Sequence, residues 1–190
     1  MIENLTNICN DHKQLFSTVL NKQSATVAPM VLEVNKTLWE RRSNKGTPRE
    51  QTLAKQKEID KQLIELLKHN IIEPSTAEYY SQVHMTPKPH QDPNVKAADF
   101  QWRFCLDYRN LNIATKTLGH GVIPNIKEMI QRLGKHRSVY FGKIDLTSGY
   151  HQAPISKQSR HLTSFITHKG IYQWTRVPMG LKQLHLISKE

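Results

Sequence analysis

Cysteine is nearly absent from this chain: among 190 residues only Cys9 and Cys105 carry a thiol, and they lie far apart. Two isolated thiols exclude a disulfide framework and every Cys-x-x-Cys zinc pattern. Both are read as reduced thiols of an intracellular protein, with cytoplasm and nucleus left open. Long apolar runs are missing as well. No stretch approaches the roughly 20 apolar residues that cross a bilayer, and the opening MIENLTNICNDHK has no basic segment leading into an apolar one, so neither insertion nor secretion is expected. Without an export signal the sequons Asn4-Leu5-Thr6 and Asn35-Lys36-Thr37 are chance matches. Acidic residues are outnumbered: 16 Asp and Glu stand against 27 Lys and Arg, a net charge of +11. Such a balance favours a polyanionic partner, nucleic acid before an anionic membrane surface, although a solvated basic face with no such partner would give the same numbers.

The length suits one ordinary domain or two small ones. Residues 1–46 are mixed and polar, with a helix expected near Cys9–Leu20 and an extended stretch through Val27, Met30, Val31 and Val34, and they read as a linker. Thr47-Pro48-Arg49-Glu50 then announces a helix: Thr47 as cap, Pro48 at the first helical position, Glu50 closing a capping box. Ile59, Leu63, Leu66 and Leu67 recur at helical spacing, while Lys55, Lys57 and Lys61 fall in the polar remainder. His69-Asn70 ends the helix, and Ile71-Ile72-Glu73-Pro74 runs out extended.

Val83–Pro87 and Gln101–Tyr108 read as the two strands of a hairpin around the polar loop Pro89–Asp99. Asn125 and Glu128 signal a second helix, with Ile126, Met129, Ile130 and Leu133 on one face and Gly134 as its stop. Ser138–Leu146, rich in aromatic and β-branched residues, predicts a strand that delivers Asp145 to its C-terminal end. Leu162–Thr167 and Ile171–Val177 predict a further hairpin about His168-Lys169-Gly170. No internal repeat or low-complexity tract is present.

Nucleotide polymerisation is an in-line phosphoryl transfer that two divalent cations assist, and hard oxygen ligands on strand ends suit those cations. Asp145 stands at such a strand end, where taken alone an aspartate is more often a cap or turn residue. Its neighbours add information. The block Trp102-Arg103-Phe104-Cys105-Leu106-Asp107-Tyr108-Arg109-Asn110-Leu111-Asn112 is followed by Asp145-Leu146-Thr147-Ser148-Gly149-Tyr150-His151-Gln152, then by Val177-Pro178-Met179-Gly180-Leu181-Lys182. This ordered set resembles the first half of the reverse transcriptase domain of gypsy-type LTR retrotransposons, from about residue 45 to 182.

The resemblance implies an α+β fold: a partial right-hand polymerase with reverse transcriptase-like fingers and an incomplete palm. The linker would occupy 1–46 and the partial reverse transcriptase domain 47–182, with fingers at about 47–115 and 154–182 and the palm starting at about 116–153. It places Asp145 as the first catalytic, metal-holding aspartate, for Mg2+ or Mn2+. Arg103 falls where the family sets a fingers arginine on the incoming triphosphate, a task suited to a planar, permanently charged fork. Lys88 is the candidate companion lysine. Tyr150 matches the ring under the incoming sugar that disfavours a 2′-hydroxyl, and Met179 and Gly180 match the segment beside the sugar and base; many relatives carry Phe at the Met179 position. The implied partners are an RNA or DNA template-primer and deoxynucleoside triphosphates, with no membrane partner and no indication of oligomeric state. Asp107 and Arg109 are read as a structural charge pair, and His151 is given no role as a base.

After Lys182 the family pattern expects Ala-Pro-Ser-Tyr-Phe-Gln-Arg and, further on, a Tyr-x-Asp-Asp turn with the other metal carboxylates. The sequence instead gives Gln183-Leu184-His185-Leu186-Ile187-Ser188-Lys189-Glu190. With codons chosen among synonyms that tail can be written CAG CTC CAT CTT ATT TCC AAA GAG, which without its first two bases reads GCT CCA TCT TAT TTC CAA AGA, the family heptapeptide. Residues 183–190 are therefore expected to be out of frame, through a single-base deletion or a misplaced exon boundary. The chain alone is expected to be an inactive fragment of an RNA-directed DNA polymerase. The alternatives are a non-catalytic nucleic-acid-binding module and a decayed reading frame.

Overall fold

The structure, a computed structural model, describes residues 2–13, 22–89, 101–116, 125–135 and 148–182. Asp145, the expected strand Ser138–Leu146, nearly all of the loop Pro89–Asp99 and the tail 183–190 lie outside the described residues. The architecture is mixed α and β around one five-stranded sheet.

The chain opens with helix α1 (Ile2–Asp11) and a single-turn helix α2 (Lys36–Trp39), which Asn35 caps by accepting from the Leu38 N–H at 3.3 Å. Helix α3 spans Leu53–Lys68 and buries Ile59 and Leu63. Its expected start at Pro48, with Thr47 as cap, is corrected to Leu53 after Thr52. The Gln82 side chain takes up the local signal: its Nε2 donates to the Thr47 carbonyl at 3.0 Å and its Oε1 accepts from the Arg49 N–H at 3.1 Å, which commits 47–49 to that contact instead of a helical turn. The helix ends as read. Asn70 adopts the left-handed region (φ 53°), the Asn70 N–H reaches the Leu67 carbonyl at 3.0 Å, and the Ile71 N–H reaches Leu66 at 2.9 Å, a Schellman closure.

Three strands follow from the extended and alternating segments: β1 (Ile72–Pro74), β2 (Ser81–Pro87) and β3 (Trp102–Leu106). Helix α4 (Arg109–Ala114) leaves β3 at once, and helix α5 covers Ile126–Lys135. Strands β4 (Phe165–Thr167) and β5 (Gly170–Trp174) form the expected hairpin, turning through Gly170 at φ 130°. Residues 157–163, which the sequence assigned partly to a strand, form a 3₁₀ stretch instead. Strand order is β1-β5-β4-β2-β3, antiparallel except for β2 beside β4, where Ser81 faces Phe165.

Phe165 is fully buried at the centre of the sheet. Its ring meets Phe104 edge-on at 5.6 Å and lies 5.9 Å from Trp174. Around it close Ile59 and Leu63 of α3, Ile71, Val83, Met85, Leu111 and Val177. Helix α5 buries none of its residues, and Ile126, Met129, Ile130 and Leu133 remain exposed.

The linker reading of 1–46 is corrected over residues 30–44. Met30, Leu32 and Trp39 belong to the core. Met30 exchanges backbone hydrogen bonds with Pro154 and Ser156, Leu32 donates to the Ser159 hydroxyl, and Asn35 donates to the Ala114 carbonyl. Asn44, 4% exposed, donates to the Trp39 carbonyl and accepts from the Asn110 amide at 2.8 Å. Spaced apolar residues within a polar stretch gave no periodicity to read, and the partners of this segment lie 66 to 127 residues away.

Candidate nucleotide and nucleic-acid site

The β2–β3 hairpin brings Lys88 and Arg103 to the end from which its connecting loop leaves. Thr86 faces Arg103 and Pro87 faces Trp102, and beyond the last pair the Lys88 N–H donates to the Gln101 carbonyl at 2.8 Å. Alternation along β2 puts the Lys88 side chain on the face of Thr86, hence of Arg103. Both are exposed. Lys88 Nζ donates to Gln101 Oε1 at 3.3 Å, and among the described residues Arg103 forms no ion pair. The opposite face of β3 carries Trp102, Phe104 and Leu106 against the core, with the Lys55 ammonium of α3 lying 4.8 Å from the Trp102 ring centre. The hairpin thus presents two cations on one face while its apolar face anchors it.

Tyr150 lies on a 3₁₀ turn, Gly149–Gln152, entered through Ser148 in the left-handed region (φ 48°). Next to it runs the segment after β5. The Val177 N–H donates to the Ala153 carbonyl at 3.0 Å, and His151 Nδ1 lies 3.2 Å from the Val177 carbonyl. The His151 ring stacks on Trp174 at 5.0 Å with an interplanar angle of 13°. Arg176 is 3% exposed and donates to the carbonyls of His151 (3.2 Å) and His69 (3.5 Å), so it also caps the C-terminal end of α3, where the helix dipole favours a cation. Burial pushes the His151 imidazole below its ordinary value, and the nearby Arg176 charge adds to this against the pull of the Val177 carbonyl. The structure therefore holds the Tyr150 turn and the 177–180 segment side by side. Both Tyr150 and Met179 are exposed.

Gly180 adopts φ 97°, a backbone that L side chains rarely take. A Cβ built there would lie 3.8 Å from the Tyr108 ring, so conformation rather than space calls for glycine. Tyr108 itself is buried, its hydroxyl donates to the Thr163 carbonyl at 3.0 Å, and burial pushes its phenol well above the ordinary value.

Sequence reasoning gave Asn112 no role. Its Nδ2 donates to the Gly180 carbonyl and its Oδ1 accepts from the Lys182 N–H, both at 2.8 Å. The motif Asp107 to Asn112 is a hub of short ties: Arg109 closes on Asp107, Asn110 reaches Asn44, Leu111 enters the core and Asn112 holds the 180–182 backbone. The available signal was polar residues flanking one apolar residue in a helix too short to be stable alone.

Among the described residues no three His, Cys, Asp or Glu side chains converge. Asp145, the candidate ligand, lies outside them. A cleft of about 510 Å3 opens between Leu32, Trp39, Tyr79 and Leu162, and none of the candidate site residues lines it.

Residues 87–183 match the family described as reverse transcriptase (RNA-dependent DNA polymerase). The chain belongs to this family. It is 33% identical over 184 residues to the retrovirus-related Pol polyprotein from transposon 412 of Drosophila melanogaster, covering 94% of this chain and 14% of that polyprotein. It is 33% identical over 129 residues to the corresponding polyprotein from transposon gypsy of the same fly, covering 65% and 11%. The chain thus spans a small part of the curated relatives it matches. The resemblance to gypsy-type retrotransposon polyproteins is borne out, as is the fold: the native prototype foamy virus protease-reverse transcriptase superposes with a TM-score of 0.65 at 21% identity, over 95% of this chain and 22% of that one. The foamy viral protease-reverse transcriptase in complex with dsDNA gives a TM-score of 0.65 at 21% identity, over 95% and 35%.

Proposed function

We propose that these residues form the fingers and the start of the palm of an RNA-directed DNA polymerase that acts on an RNA or DNA template-primer and deoxynucleoside triphosphates. The observation that carries the reading is the joint seating of the Tyr150 turn and the Met179–Gly180 segment through His151 and Val177. Two exposed groups that the family motif assigns to one nucleotide are thereby brought onto neighbouring backbone. Arg103 and Lys88 take the triphosphate at the hairpin end, Tyr150 bears on the sugar, and Met179 and Gly180 border the sugar and base. The fingers extend over 47–115 and 154–182 and include the 30–44 strap; 116–153 begins the palm. Asp145 is the residue that would hold Mg2+ or Mn2+. A two-ion centre needs further carboxylates, and these 190 residues contain no Tyr-x-Asp-Asp turn.

The 190 residues by themselves therefore bind template-primer without extending it. The test pairs a template-primer binding titration with a nucleotide-incorporation assay on the purified chain. Salt-dependent binding without incorporation is expected. Template-directed incorporation would overturn the inactivity, and absence of binding would overturn the reading. A second reading, a nucleic-acid-binding module with no catalysis in any context, is favoured by the exposed cations of the hairpin and the net charge of +11. Incorporation by a longer product that includes this chain would exclude it.

A further inference from the structure

We propose that Asn112 is a positioning residue: its side-chain amide clamps the backbone of 180–182 and so fixes how Met179 and Gly180 face an incoming nucleotide. The inference rests on the function proposed above and extends it to a residue outside the nucleotide contacts.

Met179 and Gly180 form an arch between buried anchors. Val177 and Pro178 are buried on one side and Leu181 on the other, whereas Met179 is 70% exposed. Burial therefore fixes the feet of the arch and leaves Met179 at its crown exposed. Gly180 adds conformational freedom at the same point. What remains to hold the crown is polar. Asn112 donates from Nδ2 to the Gly180 carbonyl and accepts at Oδ1 from the Lys182 N–H, both at 2.8 Å. A primary amide is the side-chain group that offers a donor and an acceptor in one plane, which matches a carbonyl and an N–H two residues apart on one turn of backbone. Aspartate offers no donor at neutral pH, and alanine offers neither.

The base of this strut is fixed independently. Asn112 sits on α4, whose Leu111 is fully buried, and its own N–H donates to the Tyr108 carbonyl at 2.7 Å. Tyr108 lies beneath Gly180 and is itself tied to Thr163. The position of α4 in the fingers is thus transmitted to the nucleotide-facing segment through one side chain. A family motif at the end of the fingers hairpin and another after β5 become parts of one device.

The test uses the 190-residue chain with 13C-methyl methionine, amide hydrogen exchange, and the variants Asn112→Ala and Asn112→Asp. In Asn112→Ala the Lys182 amide is expected to exchange about tenfold faster and the Met179 methyl signal to move toward its free-chain position, with the β2–β3 amides unchanged. In Asn112→Asp the Lys182 amide stays protected, because the carboxylate still accepts, while the Met179 methyl moves because the Gly180 carbonyl has lost its donor. A merely structural role would lower protection across the sheet in both variants, and that result, or unchanged Lys182 exchange in Asn112→Ala, overturns the clamp. Titration with a deoxynucleoside triphosphate and Mg2+ then reads the purpose. A Met179 methyl shift in the unsubstituted chain that is lost in Asn112→Ala supports the proposal. No shift in the unsubstituted chain overturns the nucleotide reading, and with it the purpose given to the clamp, while the exchange data still decide the clamp itself.

Discussion

The Arg109 guanidinium closes on the Asp107 carboxylate through two hydrogen bonds, Nε to Oδ1 at 2.8 Å and a terminal nitrogen to Oδ2 at 2.7 Å. Arg49 adds a third at 2.8 Å from the segment before α3. The turn from β3 into α4 is thereby tied to the entry of α3, which agrees with the structural role read from the sequence.

Asp107→Asn is expected to lower stability at neutral pH and to flatten the acid limb of the stability profile. The Arg109 bonds, with those of Arg49, hold the Asp107 carboxyl well below the usual carboxylate range despite the opposing effect of burial. A depressed carboxylate contributes its stabilisation above its unfolded value, about 3.9, and loses it as pH falls from there through the folded value. Urea melts between about pH 7 and pH 2 check this; parallel profiles for the two chains would contradict it.

His151→Phe is expected to keep the stack on Trp174 and lose the contact with the Val177 carbonyl. The pH dependence should change as well. The folded His151 resists protonation, so the unfolded chain takes up the extra proton as pH drops below about 6.5, and stability falls in that direction. With Phe the fall between about pH 7 and pH 5 should shrink, as read by chemical denaturation at each pH.

Trp39→Ala is expected to cost about 3–5 kcal/mol, the range for truncating a buried large aromatic. Trp39 is 3% exposed and lies in the segment that composition alone assigned to a linker. A melting temperature unchanged by the substitution would return residues 30–44 to that role.

Arg103→Ala is expected to weaken triphosphate binding about tenfold or more, as loss of hydrogen bonds to a charged group implies, and to leave the fold intact because the side chain is exposed and unpaired among the described residues. Arg103→Lys should recover only part of the loss, since an ammonium lacks the planar fork. Equilibrium binding of a labelled triphosphate measures both; equal affinity in all three chains would remove Arg103 from the site.

The elements legible in the sequence were those with a local cause. Ile59 and Leu63 at helical spacing, the helix stop at His69-Asn70, the strand Val83–Pro87 and the turn about His168-Lys169-Gly170 each carry their signal within a few residues, and each formed. The hairpin also fixed Lys88 and Arg103 on one face. Thr47-Pro48-Arg49-Glu50 carried an equally good local signal and failed, because the Gln82 amide, distant in sequence, bound the same backbone groups. Local propensity is worth a few tenths to one kcal/mol per residue, and a tertiary contact of similar size can override it.

Sequence by itself determined the family and the order of its motifs, and it named candidate residues for a nucleotide from the chemistry that their side chains offer whatever the fold. Tertiary structure alone decided that residues 30–44 are part of the core, that Arg176 ties the Tyr150 turn to the end of α3, and that Asn112 reaches Gly180. These ties join residues 25 to 127 positions apart through one or two hydrogen bonds or buried side chains. Such contacts leave no periodicity along the chain, and only the folded backbone brings their partners within reach.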